Sequence, residues 1–195
     1  MRHILLVIIF LLSTNMFTQN NRRFSGIGLA SGNKSFYGDN FLAKTYFNSL
    51  MVSIDLRGEI YAKFGAGVTF RNSNAKLKTN QYVGNSINGN IKEWSFYITY
   101  NQQISKKWLF VPKLGIATFQ LRNQFSKSLS YSYYTNGTTY FVAPEIHYLI
   151  HENISLFSNV DYGFIDFSRV DASSSLTNYK SSTQLNIEFG IKFWL

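Results

Sequence analysis

Glu145 and His147 stand two residues apart, a spacing that puts both on one side of an extended chain. A histidine beside a carboxylate can serve as a base or a metal ligand. Either use calls for a third group, and no nucleophile or further ligand stands at a suitable spacing. The pair therefore reads as a hydrogen-bonded polar couple. An acyl-transfer centre would need serine, histidine and carboxylate converging at one rim, but His147 and His151 both approach an expected short turn. Asp161 and Asp166 flank Gly163 without the oxygen density of a calcium loop. No glycine-rich phosphate loop leads from a strand into a helix. With no cysteine in the chain, thiolate metal sites and disulfides are excluded. No enzyme activity and no cofactor are expected.

What must position these residues is a set of strands. Leu50, Val52, Ile54 and Leu56 alternate with Met51, Ser53, Asp55 and Arg57. Further on, Trp94, Phe96, Ile98 and Tyr100 alternate with Glu93, Ser95, Tyr97 and Thr99, and the last residues, IEFGIKFWL, repeat the pattern. Eight such segments can be counted, the first a Gly-rich stretch over 23–31 whose facing the pattern does not fix. Phe119 and Leu121 fall out of step with the apolar set before them, which suggests a bulge. Short connections are expected near 57–59, 105–107 and 151–153. The others, near 32–46, 72–90, 123–137 and 169–181, are long and polar. Strict alternation of short and long connections is the anatomy of an up-and-down antiparallel barrel with all its short turns at one end.

The first twenty residues have the plan of a secretory signal: Arg2 and His3, then an apolar run from Ile4 to Leu12, then polar residues. The run is too short to span a bilayer as a helix. Residues 1–19 are expected to be a signal peptide and 20–195 a single barrel domain. Lys and Arg outnumber Asp and Glu by 19 to 10, but they are scattered singly, which argues against a nucleic-acid partner.

Alternation alone does not say whether core or lipid meets the apolar side. The polar side decides, because Asp55, Arg57, Lys63, Arg71, Glu93, Lys113, Glu145, Asp161, Glu188 and Lys192 divide equally by sign. Charges enclosed in a narrow barrel must pair. An interior network of these residues with His147 is therefore expected, surrounded by a lipid-facing apolar wall. An exported chain with so apolar an outer face would aggregate in water.

Glu188, Gly190, Phe193 and Leu195 resemble the C-terminal insertion signal of outer-membrane barrels, although Phe or Trp more usually stands where Leu195 does. The resemblance implies that the last strand is read by the barrel-assembly machinery. The strand count, the alternating turns and the stretches Lys113-Leu114-Gly115 and Pro144-Glu145-Ile146 resemble the OmpA/OmpX-like eight-stranded barrels over residues 22–195. That resemblance implies an all-β transmembrane barrel in the outer membrane of a Gram-negative bacterium and leaves the activity open.

On this reading the function is non-enzymatic: a plugged barrel with a structural, adhesive or envelope-recognition role. Lys34, Lys44, Lys76, Lys78, Lys127, Arg169 and Lys180 are assigned to external loops, where Asp39 and Asp171 are the only acids. Basic loops suit the phosphates of lipopolysaccharide beside the outer-membrane lipid, and an extracellular or envelope protein is a further expected partner. The alternatives are a narrow pore for small solutes and a soluble periplasmic barrel, with inverted facing, that encloses an apolar ligand.

Overall fold

The computed structural model describes residues 24–79, 86–125, 132–170 and 181–195. The expected signal peptide lies outside them, as do Lys127 and Lys180. The barrel strands are β1 (Gly26–Tyr37), β2 (Ser49–Tyr61), β3 (Phe64–Lys76), β4 (Ser86–Tyr100), β5 (Trp108–Phe125), β6 (Ser132–His151), β7 (Ile154–Val170) and β8 (Ser181–Trp194). Each pairs antiparallel with the next, and β8 returns to β1 from Gly26↔Trp194 to Tyr37↔Thr183. The eight strands thus close into an up-and-down barrel, which removes every open sheet edge along the paired rows. A two-residue strand, Gln102–Gln103, pairs with Leu109 and Phe110 inside the β4–β5 turn.

Strands run further into the expected long loops than the alternation suggested. Between β2 and β3 the turn also differs from expectation. It lies at Ala62 and Lys63, both with positive φ (44° and 76°), and not at 57–59. Two such residues in succession suit the right-handed twist of a two-residue hairpin. The other two short turns fall where the sequence placed them.

Side chains facing out along the lower strands are apolar: Ile54, Leu56, Phe96, Ile98, Leu114, Val142 and Phe189 are all about half exposed or more. The inverted facing of a soluble, ligand-enclosing barrel therefore does not hold. Aromatic pairs mark both ends of this band, with Phe64–Tyr100 and Trp108–Tyr148 at the short-turn end (centroids 5.1 Å apart in each pair) and Phe70–Trp94 (4.8 Å) toward the loop end. Such girdles are typical of membrane interfaces.

Above Phe70 and Trp94 the polarity of the wall reverses on β3 to β6, while Val52 and Leu50 of β2, partners of Asn72 and Asn74, stay apolar and exposed. In the last apolar row Val68, Phe96, Ile116, Tyr140 and Phe164 are successive partners across β3 to β7. The next row is Phe70, Trp94, Thr118, Thr138 and Asp166. Beyond it come Asn72, Lys92, Gln120 and Asn136, then Asn74, Asn90, Arg122 and Tyr134. Inside this upper collar an apolar cluster that includes Ile91, Phe119, Leu121 and Ile165 is buried, beside a few polar side chains such as Ser73 and Asn123. Phe119 and Leu121 therefore mark no bulge. Both stay in step with the inward-facing Lys113 and Ala117, the β5 pairing has no register shift there, and only the chemistry of each face has changed.

A short helix, α1 (Phe41–Thr45), fills the mouth of the collar. Asn40 caps it by accepting from the Ala43 amide at 3.0 Å, leaving Phe41 and Leu42 to enter the barrel. Phe41 and Leu42 are fully buried there with Tyr46, whose hydroxyl meets Asn123 Oδ1 at 2.5 Å. Lys78 ties this segment to the next loop: its Nζ donates to the Ala43 carbonyl at 2.9 Å and its amide to the Thr45 carbonyl at 2.7 Å. At the short-turn end Phe24, Leu109, Val111, Leu149 and Trp194 form a second apolar seal.

Candidate functional site

The chemistry lies between the two seals. Strand parity sends every second side chain of each strand inward, so charges distant in sequence meet across a narrow lumen. Asp55 of β2 and Glu145 of β6 anchor a lower group. Lys192 of β8 and the Tyr97 hydroxyl both meet Asp55, and Thr69 Oγ1 donates to it at 2.7 Å. Arg57 meets Glu145 at 2.9 Å and Lys113 contacts it from β5. Lys113 also lies 3.8 Å from Asp55, which joins the two acids through one cation.

An upper group surrounds Arg71 of β3. Its guanidinium reaches Asp161 at 2.9 Å and Glu188 at 3.2 Å, and Asn159 donates to Glu188 at 2.8 Å. Lys34 Nζ meets Glu93 at 2.7 Å and donates to Gln184 at 3.1 Å. Three cations thus face two acids below, and two cations face three acids above. Each group has an excess charge that the other offsets.

Two expected positions are corrected. Lys34 is not in an external loop: β1 runs on to Tyr37, and Lys34 is buried in the lumen with 0% exposure. Lys63 is not in the lumen, because it is a turn residue between β2 and β3. The exchange preserves the balance. Buried Lys34, Arg57, Arg71, Lys113 and Lys192 face buried Asp55, Glu93, Glu145, Asp161 and Glu188, five against five.

The sequence also concealed a partner for His147. Ser155 lies across the β6–β7 hairpin with its Oγ 2.9 Å from His147 Nδ1, while His147 Nε2 lies 2.5 Å from Glu145 Oε1. These are the contacts of a serine–histidine–carboxylate array. The Trp194 indole donates to the same Ser155 Oγ at 3.0 Å, and all three members of the array are 0% exposed. Arg57, paired with Glu145, also stands 4.9 Å from the Trp194 ring centroid. The array is therefore buried next to the lower seal, which it meets through Trp194.

Inward aromatics share the lumen with glycines. Tyr97 lies between Gly67 and Gly115 in register, and Phe141 between Gly115 and Gly163. A Cβ at Gly67 would collide with the Tyr97 phenol, and one at Gly115 would come within 2.7 Å of Phe141 Cζ. These glycines make room for rings that lie flat across the neighbouring strand.

Of the C-terminal residues, Glu188 belongs to the upper charge group, Gly190 adjoins the Phe157 ring, and Phe193 faces outward. Leu195 donates its amide to the Ser25 carbonyl at 2.8 Å, beside the strand closure. Among the expected external cations, Lys44 pairs with Asp39 at 2.5 Å, Lys78 holds α1, and Lys76 is exposed at the end of β3. Arg169 lies near the end of β7.

The closed ladder, outward apolar band and charged lumen define a transmembrane eight-stranded antiparallel β-barrel. Solved structures agree on that class. Neisserial surface protein A superposes with a TM-score of 0.63 at 10% identity, over 89% of this chain and 97% of that one. Ail, the attachment invasion locus protein of Yersinia pestis, solved with the heparin analogue sucrose octasulfate, gives 0.54 at 15% identity, over 88% and 99%. The outer membrane protein OprG of Pseudomonas aeruginosa gives 0.53 at 11% identity, over 89% and 98%. The fold is that of the outer-membrane barrels, consistent with the OmpA/OmpX-like resemblance. No protein-family description and no curated protein matches the sequence.

Proposed function

We propose that this chain is a non-enzymatic outer-membrane protein whose barrel is a closed anchor and whose collar and loops act at the cell surface. The observation that carries this reading is the lumen: ion-paired side chains fill its middle, and an apolar seal closes each end. An eight-stranded barrel has an interior that side chains can fill, so steady solute flow is not its task. The buried state of His147 and Ser155 supports a structural role for the array that resembles a catalytic one.

Export by residues 1–19, recognition of Glu188, Gly190, Phe193 and Leu195 by the assembly machinery, and adhesion or envelope recognition through the loop end complete the proposal. Ail was solved with a sulfated ligand, and a basic loop end here would suit anionic glycans or an extracellular protein partner. The first test is electrophoresis of washed outer membranes with and without boiling, joined to planar-bilayer recording of the purified protein. A band that shifts on boiling, with no steady current, is the expected result. Reproducible unit conductance would favour the narrow pore, and a soluble, unshifted protein would overturn the membrane assignment.

A further inference from the structure

The described loop cations are largely engaged with the protein itself: Lys34 lies in the lumen, Lys44 pairs with Asp39, and Lys78 clamps α1. A different set of cations stands on the outer wall. Lys92 of β4 is exposed one outward position above Trp94, and Arg122 of β5 is exposed beside it. Lys92 pairs in register with Gln120 and Asn90 with Arg122, so the two cations are diagonal neighbours on one face. Diagonal neighbours lie about 7–8 Å apart. Lys76 is also exposed on the outside of β3, but it pairs with Asn88 and so stands two outward positions beyond Asn72, the partner of Lys92.

The surroundings suit an anion. At outward positions above Trp94 on β3 to β6, the described residues include no Asp or Glu, and Asp166 lies on β7 in the girdle row. Asn90 Nδ2 donates to Asn72 and Asn74 at 3.0 and 2.9 Å, holding the amide-lined wall beside the cations. The Arg122 guanidinium lies 5.9 Å from the Tyr134 ring centroid. An arginine so placed can meet phosphate with two parallel donors, while a lysine adds a point charge. The height is that of a lipid headgroup, since the aromatic girdle marks the membrane edge.

We propose that Lys92 and Arg122 bind the phosphate groups of a membrane lipid at the outer rim of the barrel. The site rests on the membrane assignment above and moves the expected phosphate contact from the loops to the wall.

Native mass spectrometry of the folded protein in neutral detergent, titrated with diphosphoryl lipid A, tests it. Lys92→Gln with Arg122→Gln should weaken binding roughly tenfold or more, and wild type should bind phosphate-free lipid A as weakly as that variant. Each single substitution should give a smaller loss, which keeps the test decisive if the double variant fails to fold. Lys107→Gln, the same charge change at the short-turn end, should leave binding unaltered. Equal binding by wild type and the folded variants, or equal binding of the phosphate-free lipid, would overturn the site. So would displacement of the lipid by excess inorganic phosphate, because the site would then take the free anion. A heat-shifted band in every variant separates these outcomes from failure of the barrel reading, which would appear as loss of the shift in wild type.

Discussion

The membrane band and the collar of this barrel use the same strands, the same parity and one continuous ladder, yet turn opposite chemistry inward. On β5, Leu114 and Ile116 face out while Lys113 faces in; a few residues on, Gln120 and Arg122 face out while Phe119 and Leu121 face in. The crossover lies in the row from Phe70 through Trp94 and Thr118 to Asp166. What changes there is the surrounding solvent. Beside lipid the outer face must be apolar and the charges must find partners inside. Beside water the burial of apolar side chains again favours an apolar interior. The collar is thus arranged like a soluble barrel built on a membrane one, and α1 supplies the apolar side chains that fill its mouth.

The sharpest way to break that contrast is to remove a charge from the band. Glu145 accepts from Arg57 and contacts Lys113, with His147 at its other side. Glu145→Val leaves these cations enclosed without their carboxylate. A loss of about 3–5 kcal/mol is expected, read as a lower urea midpoint for unfolding from lipid vesicles. A loss below about 1 kcal/mol would mean that water reaches the lumen and screens the pair.

A paired substitution on the outer face of β5 tests where the solvent changes. Leu114→Lys places a charge in the lipid band, where the cost is about 2–4 kcal/mol near mid-membrane. Gln120→Lys makes the same charge in the collar and should alter stability by no more than about 0.5 kcal/mol. Similar costs at the two sites, measured by the same vesicle unfolding, would erase the boundary drawn at Trp94 and Thr118.

The band was largely legible from sequence because period 2 survives whatever lies outside. The collar was not, because its polarity reversal is easily mistaken for a slip of register: Phe119 and Leu121 look like a bulge when apolar side chains are assumed to face one way throughout. Lys34 was missed for a related reason. The Gly-rich start of β1 shows little alternation, so nothing in the sequence carried the strand as far as Tyr37. The β2–β3 turn was misplaced because Gly58 is the conventional turn residue, whereas the chain turns at Ala62 and Lys63, both non-glycine residues in the left-handed region. Ser155 reaches His147 only through the hairpin register, and sequence spacing does not reveal it.

The smallest expected effect is the most exacting check on facing. Ile146 is the immediate neighbour of Glu145, faces outward at 45% exposure, and pairs with Phe110 and Ser158 on the adjacent strands. Ile146→Val removes one methylene from a side chain bordered by lipid, which can close around the change without leaving a cavity. The expected cost is within about 0.5 kcal/mol, against the several expected at Glu145. Were Ile146 enclosed in protein, the same truncation would cost about 0.5–1.5 kcal/mol. A measured value in that upper range, alongside a small effect at Glu145, would exchange the two faces of β6 and with them the medium on each side of the wall.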